Sequence, residues 1–290
     1  MPKVTLIICT QGDRVPLARL LQHSVGCYDE LLVIHDGPDF EDVGSLVRNY
    51  RGRFIERPRA YSQEPHVPFA LGEATYDWIL RFDTDEYPSN ELKHWLIEFR
   101  NIRDVDARIA GYQWICPAWN GRKQITKNWP SKSVRLFNRN RVSVVGVCEN
   151  GPQTDPGYCC PKMQLRFCHE PPVRSHGFRN IFGKKRTAEA RQHLVRALFG
   201  SPLEHPTWRH ESDEWPAGWQ DVKEHPILTG AWRLLVWPPR QALAMVLAGD
   251  LPRPSVFCHA GVFHATVCYE FWKQSHSQHL ENRPSGDDEP

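Results

Sequence analysis

Asp77-Trp-Ile-Leu-Arg-Phe82, running straight into Asp83-Thr-Asp85-Glu86, decides the fold. A short apolar run of strand length that breaks directly into carboxylates reads as a strand of a buried sheet whose carboxyl end meets a polar crevice. Upstream, Val4-Thr-Leu-Ile-Ile-Cys9 and Leu31-Leu-Val-Ile-His35 have the same character. They end in Thr10-Gln-Gly-Asp-Arg and Asp36-Gly37-Pro38. Between them Pro16 opens a segment with Leu17, Leu20 and Leu21 at helical spacing, so the three pieces form a βαβ unit. A weaker strand near Arg53-Phe-Ile-Glu56 follows a helix over 41–50. After the acids, Pro88-Ser89-Asn90 offers an N-cap to a helix over 91–100, whose Leu92, Trp95, Leu96 and Phe99 make an apolar stripe. Alternation of this kind predicts an α/β fold with a mostly parallel, Rossmann-like sheet and helices on both faces. Ligands bind such sheets beyond the strand ends, where the strand order reverses. Thr10, Asp36, Asp83 and Asp85 all fall there.

The chain has 290 residues, 40% hydrophobic and 24% charged, enough for a full-sized core. Its 36 Lys+Arg against 34 Asp+Glu leave a net charge of +2. That balance argues against a general nucleic-acid binder, which needs a basic surplus, but leaves room for a local phosphate site. No run approaches the length of a membrane-spanning helix, and the first residues lack the layout of a signal peptide. The nine cysteines are an odd number in such a chain and are expected to stay thiols in a reducing cytosol. Eleven Trp, 14 His and 24 Pro are the unusual feature of the composition, and much of that excess falls after residue 110.

From Gly111 the pattern shortens. Residues 111–116, 133–137 and 142–147 read as antiparallel strands, the last two as a hairpin across Asn138-Arg-Asn-Arg, forming a small antiparallel sheet beside the first. Lys184–Phe199 reads as a basic surface helix. Residues 231–251, interrupted by Pro238-Pro239, read as two short helices whose apolar character could also serve a peripheral contact at the inner face of a membrane. The expected organisation is a domain over 1–180, with a first half over 1–105 and a second over 106–180, then a helical extension over 181–272 and a disordered tail over 273–290.

Asp83-x-Asp85 at a strand end can reach one hard cation, directly or through water. Mn²⁺ and Mg²⁺ favour oxygen ligands and take one or two carboxylates together with substrate phosphates. An Asp-rich turn that merely caps the next helix is the plain alternative.

The segments Val4–Cys9 with Thr10, Leu31–Gly37, Ala70-Leu71, Ala74-Thr75-Tyr-Asp77-Trp78 and Asp83-Thr-Asp85-Glu86, followed by Arg135-Leu-Phe137 and Val147-Cys148-Glu149, resemble in order and spacing the family 2 glycosyltransferases of GT-A fold. The branch similar to lipopolysaccharide-core glycosyltransferases resembles them most. The resemblance spans about residues 3–190. It implies an inverting, metal-dependent transfer of a sugar from a nucleotide-diphosphate donor to a hydroxyl of a glycan, a lipid-linked molecule or another acceptor. Residue by residue, it implies that Thr10 and Asp36 contact the base or ribose and Asp83 the ribose or diphosphate. Asp85 would take Mn²⁺ or Mg²⁺, with His169 as a later ligand, and Arg135 would offset diphosphate charge. Glu149 would be the catalytic base, with Glu86 and Glu170 next in line. Two departures stand out: Val67-Pro68 where the branch often has Arg-Asn, and Cys148 where a histidine is common.

Trp114, Trp119 and Trp129 are candidate acceptor contacts, because aromatic faces stack on sugar rings. Cys148, Cys159, Cys160, Cys168 and His169 crowd together, but their spacing lacks the paired knuckles of a structural zinc site. Two other functions stay open: a sugar-phosphate nucleotidyltransferase, which would want a glycine-rich loop where only Gly12 stands, and a degenerate carbohydrate-binding protein.

Overall fold

The computed structural model describes residues 1–60, 62–116, 118–119, 124–125, 132–146, 151–170, 192, 194–196, 198–199, 208–209, 217–247 and 259–281. Its centre is an eight-stranded sheet in the order β3-β2-β1-β4-β9-β6-β12-β5. The strands are β1 (Val4–Thr10), β2 (Glu30–Asp36), β3 (Arg53–Arg57), β4 (Trp78–Arg81), β5 (Glu86–Pro88), β6 (Gly111–Ile115), β9 (Lys132–Asn138) and β12 (Lys162–His169). Two further ladders are separate: β7 (Ala118–Trp119) with β8 (Gln124–Ile125), and β10 (Val142–Ser143) with β11 (Gln153–Thr154).

Strands β1, β2, β3 and β4 are parallel. Every residue of β1 is buried, as is β2 after its first residue, because helices cover both sheet faces. Helix α1 (Arg14–Ser24) buries Leu17, Leu20 and Leu21, the face expected from the sequence, and extends it to Ser24. In α2 (Val43–Asn49) the first amides are capped by Asp39, which accepts from Val43 and Gly44 N–H at 2.9 and 2.7 Å. A 3₁₀ turn, Glu64–His66, leads into α3 (Val67–Glu73). Helix α4 (Asn90–Phe99) is capped by Ser89, whose hydroxyl accepts from Leu92 N–H at 3.2 Å. Two apolar layers result. One holds Leu17, Leu80, Leu96, Phe99 and Trp114; the other holds Ile7, Ile34, Leu71, Ile79 and Phe137.

The second half departs from the sequence reading in three ways. First, the expected hairpin does not form. Strand β9 enters the main sheet between β4 and β6, antiparallel to both, while Val142–Ser143 pairs with β11 after a 3₁₀ turn over Arg139–Arg141. Pairing on both edges, with β4 and with β6, gives β9 more main-chain partners than the single edge of a hairpin could. Second, Pro238 and Pro239 do not divide the late apolar segment: α6 (Pro226–Leu247) runs through both. The lost amide donors are tolerated because α6 packs along α7 (His259–Glu281), where Gly261 leaves room for the Pro238 ring. A Cβ at Gly261 would sit 3.1 Å from Pro238 Cδ. Third, the tail expected to be disordered from Lys273 is helical through Glu281; residues 282–290 lie outside the described residues. Of the basic helix expected over 184–199, only 192, 194–196 and 198–199 are described; all but 199, a turn, are helical. Leu194, Val195 and Leu198 join α5 (Ala217–Glu224) and α7 in a third apolar cluster with Trp219, Phe263 and Val267.

The β6–β9 pairing rests on Gly111, where a Cβ would lie 2.6 Å from the Leu136 carbonyl oxygen. Gly111→Ala is therefore expected to destabilise the protein by about 1–3 kcal/mol, through overpacking of backbone against backbone. Urea unfolding measures it; a midpoint equal to the parent's would mean that β6 and β9 are not packed this closely.

Candidate active site

The strand-end residues fall where the strand order reverses, β1 having β2 on one side and β4 on the other. Thr10 closes β1, fully buried, and its hydroxyl accepts from Gly12 N–H at 3.4 Å. Asp36 closes β2. Its Oδ1 accepts from Ala60 N–H and meets His66 Nε2 at 3.0 Å, while its Oδ2 and His66 Nδ1, both buried, are unpartnered. Gln63, with its amide nitrogen turned toward Asp83, donates to Asp83 Oδ1 at 3.0 Å and to the Cys9 carbonyl at 3.3 Å, which ties the β1 end to the β4 end.

The acids after β4 are held by arginines. Arg135, in the middle of β9, bonds Asp83 Oδ2 at 3.2 Å and also Glu86 Oε1, while Arg81 reaches Asp83 Oδ1 at 3.4 Å. Glu86 Oε2 accepts from Asp83 N–H at 3.0 Å, closing the turn. Burial acts to raise Asp83, but the charges of Arg135, Arg81 and His169 outweigh it and hold that carboxyl below its ordinary range. Glu86 moves the other way. Burial pushes it up to about 8 against the pull of Arg135, and the neighbouring Asp83 charge adds to the rise. One cation shared by two carboxylates thus leaves Asp83 charged and Glu86 the proton holder.

Asp85 and His169 face each other across the antiparallel β5–β12 pairing, in which His169 is opposite Glu86. Asp85 Oδ2 stands 3.8 Å from His169 Nε2, and the Asp85 carbonyl accepts from Glu170 N–H at 2.9 Å. Two ligands of one Mn²⁺ or Mg²⁺ ion at about 2.1 Å would lie roughly 3 to 4 Å apart, so these donors fit a shared cation. His169 Nδ1 is buried without a partner. Among the described residues no three His, Cys, Asp or Glu side chains form a ready-made metal cage. A cation held by one carboxylate and one imidazole leaves its other positions to phosphate and water, as Mg²⁺ sites do.

Two neighbours, His66 and Arg81, carried no sequence signal of a role. His66 lies in an ordinary Pro-rich stretch, and Arg81 looked like a strand residue. Glu170 accepts from Tyr87 Oη at 2.5 Å and pairs with Arg19, which also lies over the Tyr87 ring. Burial and the Glu170 bond raise the Tyr87 phenol above its ordinary value. Thr84 Oγ1 donates to Asp13 Oδ2 at 3.4 Å, bringing the β1–α1 loop against the acidic turn.

Other expectations fare differently. Trp114 is fully buried in the core, its ring 6.4 Å from Phe82 and 5.9 Å from Trp95, so it is packing and not an acceptor wall. Its position on β6, under α4, explains this. Trp119 has its backbone in the β7–β8 ladder. Trp129 and Glu149 lie outside the described residues, as does Cys148. Cys159 is exposed and Cys160 contacts Thr154 Oγ1 at 3.1 Å.

No protein-family model and no curated protein matches the sequence. Among solved structures, the chain is similar to the mannosyltransferase PcManGT from Pyrobaculum calidifontis in complex with GDP-Man and Mn²⁺. That pair is 17% identical, the match covers 94% of this chain and 88% of that one, and the TM-score is 0.49. It is also similar to glucosyl-3-phosphoglycerate synthase from Mycobacterium tuberculosis in complex with phosphoglyceric acid (10% identical, 68% and 79% covered, TM-score 0.43). A third is S. aureus TarS 1–349 in complex with UDP (12% identical, 94% and 92% covered, TM-score 0.36). At such identities the chemistry rests on this chain's own side chains.

The opposed shifts of Asp83 and Glu86 set a pH dependence. Glu86, raised in the folded state, keeps a proton that the unfolded chain has lost, so its contribution to stability is complete below its ordinary value and fades as pH climbs toward about 8. Asp83, depressed when folded, contributes above its ordinary value and loses that contribution only on acidification. Across the neutral range stability should therefore fall with rising pH, and Glu86→Gln should flatten that fall. Urea unfolding at a series of pH values checks this; an unchanged slope in the variant would place the titrating proton elsewhere.

Proposed function

We propose that this protein is a GT-A glycosyltransferase that moves a sugar, with inversion, from a nucleotide-diphosphate donor to a hydroxyl of a glycan, a lipid-linked molecule or another acceptor. The observation that carries the reading is the arginine-held Asp83-Thr-Asp85 turn at the end of β4, beside the β1 and β2 ends and facing His169. The order of motifs along the chain supports it.

In this reading Thr10 and Asp36 border the nucleoside. Asp36 is fixed by His66 and the Ala60 amide, so that it meets a base or ribose donor without first reorienting. Asp83, kept charged by Arg135 and Arg81, faces the ribose or diphosphate. Arg135 spends its charge on two carboxylates, so diphosphate neutralisation is left chiefly to a cation. Asp85 and His169 would hold Mn²⁺ or Mg²⁺, which when bound supplies Lewis-acid stabilisation of the leaving diphosphate. Glu149 is the proposed base, taking the proton of the acceptor hydroxyl as its oxygen attacks the anomeric carbon and the sugar–phosphate bond breaks. Glu86, buried against Arg135, and Glu170, paired with Arg19 and Tyr87, are both engaged in structural bonds, which favours Glu149 over either. The cysteine content fits a reducing cytosol.

Release of nucleoside diphosphate from a panel of UDP- and GDP-sugars with Mn²⁺, with and without candidate acceptors, tests the function. Turnover is expected with one donor family, to be abolished by chelator and by Asp85→Ala, and to drop by about 10²–10⁴-fold in Glu149→Gln with donor binding retained. Full activity in chelator contradicts the metal role, and parental turnover in Glu149→Gln removes that residue as base.

A further inference from the structure

We propose that the outward face of α6 is a lipid-docking surface that lies in the interface of an anionic bilayer. The inward side of α6 is committed to α7: a Cβ at Gly230 would meet Cys268 Cβ at 3.0 Å, and Arg233 is buried among the rings of Trp219 and Trp237. Among the described residues the outward side is not covered. Leu228, Trp232 and Leu235 are 70%, 64% and 72% exposed, and Leu243, Val246 and Leu247 each more than half. Positions 228, 232, 235, 239, 243 and 246 fall at i, i+4, i+7, i+11, i+15 and i+18, a single stripe along the helix. So many large apolar side chains on one exposed face mark an interaction surface.

The width of the face and its charge select the occupant. At about 100° per residue, the exposed apolar positions from Ile227 round to Leu247 span roughly 200° of the circumference. A partner helix covers a stripe of about 100°, whereas half-immersion in a lipid interface covers the whole arc. The polar residue at one edge, Thr229, has its hydroxyl turned to the Asp221 carbonyl at 3.0 Å. Residues 226–247 contain no Asp or Glu, and their exposed charge is Arg240 at the flank of the arc. On antiparallel α7, exposed Tyr269, Trp272 and Lys273 lie beside the start of α6, adding the aromatic and basic groups that suit an anionic headgroup layer. The nearest exposed carboxylates in sequence, Asp221 and Glu224, stand on α5, outside the stripe. Among the described residues no helix is long and apolar enough to cross a membrane, so α6 would lie along the surface.

Co-sedimentation of the full chain with phosphatidylcholine vesicles, with and without added phosphatidylglycerol, tests the proposal. The parent is expected to bind the anionic vesicles about tenfold more tightly than the neutral ones. Trp232→Glu combined with Leu235→Glu should weaken binding at least tenfold, and Arg240→Gln should reduce only the preference for anionic lipid. Both substituted apolar side chains are exposed, and circular dichroism of the variant checks its fold. Should the double variant misfold, the parent and Arg240→Gln arms still decide. Failure of the parent to bind either vesicle overturns the proposal. So does equal binding by a folded double variant, or concentration-dependent self-association in light scattering that the double variant abolishes, which would make the face an interface between copies. None of these outcomes depends on the transferase reading.

Discussion

A single guanidinium organises the site. Arg135 projects from β9 to two carboxylates, Asp83 and Glu86, that flank Asp85. Removing it would leave half-buried Asp83 and buried Glu86 facing each other without their shared cation. The turn also depends on the insertion of β9 between β4 and β6, since only that antiparallel pairing sets Arg135 beside the end of β4. Sheet order and site electrostatics are one constraint seen from two sides.

The same arrangement divides labour among the charges. Arg135 and Arg81 are occupied with Asp83, and Arg19 with Glu170. Asp85 stands opposite His169, and in the proposed function it is the acid that would meet a cation brought in with the diphosphate. Under the proposed function, that cation would let a near-neutral chain handle a diphosphate without a basic patch.

The first half of the fold was legible because β1, β2 and β4 are buried on both faces, which writes them as unbroken apolar runs with polar residues at their ends. The second half was less so. Strand β12 does carry an alternation, Met163, Leu165 and Phe167, yet its Cys168 and His169 stood out as candidate metal ligands and not as strand residues. The place of β9 in the sheet is a non-local fact that no local pattern encodes, and α6 survives two prolines because of α7, a tertiary effect that outweighs propensity. At the site, Asp36, Asp83 and Arg135 could be picked out by strand ends and motif order. His66 could not, since only the fold brings it to Asp36, and Trp114 gave no sign of its burial because a strand's own pattern does not say which side α4 will cover.

The most direct test of the central claim, that the strand-end acids bind a nucleoside diphosphate through a divalent cation, is the thermal unfolding midpoint with UDP or GDP and Mn²⁺, singly and together. A ligand at about a hundred times its dissociation constant adds roughly 2.7 kcal/mol to the native state. The account predicts a clear rise with one nucleotide and Mn²⁺ together, a much smaller one with either alone, and none in Asp85→Asn. A midpoint unmoved by every nucleotide with Mn²⁺, or moved equally in chelator, would contradict it.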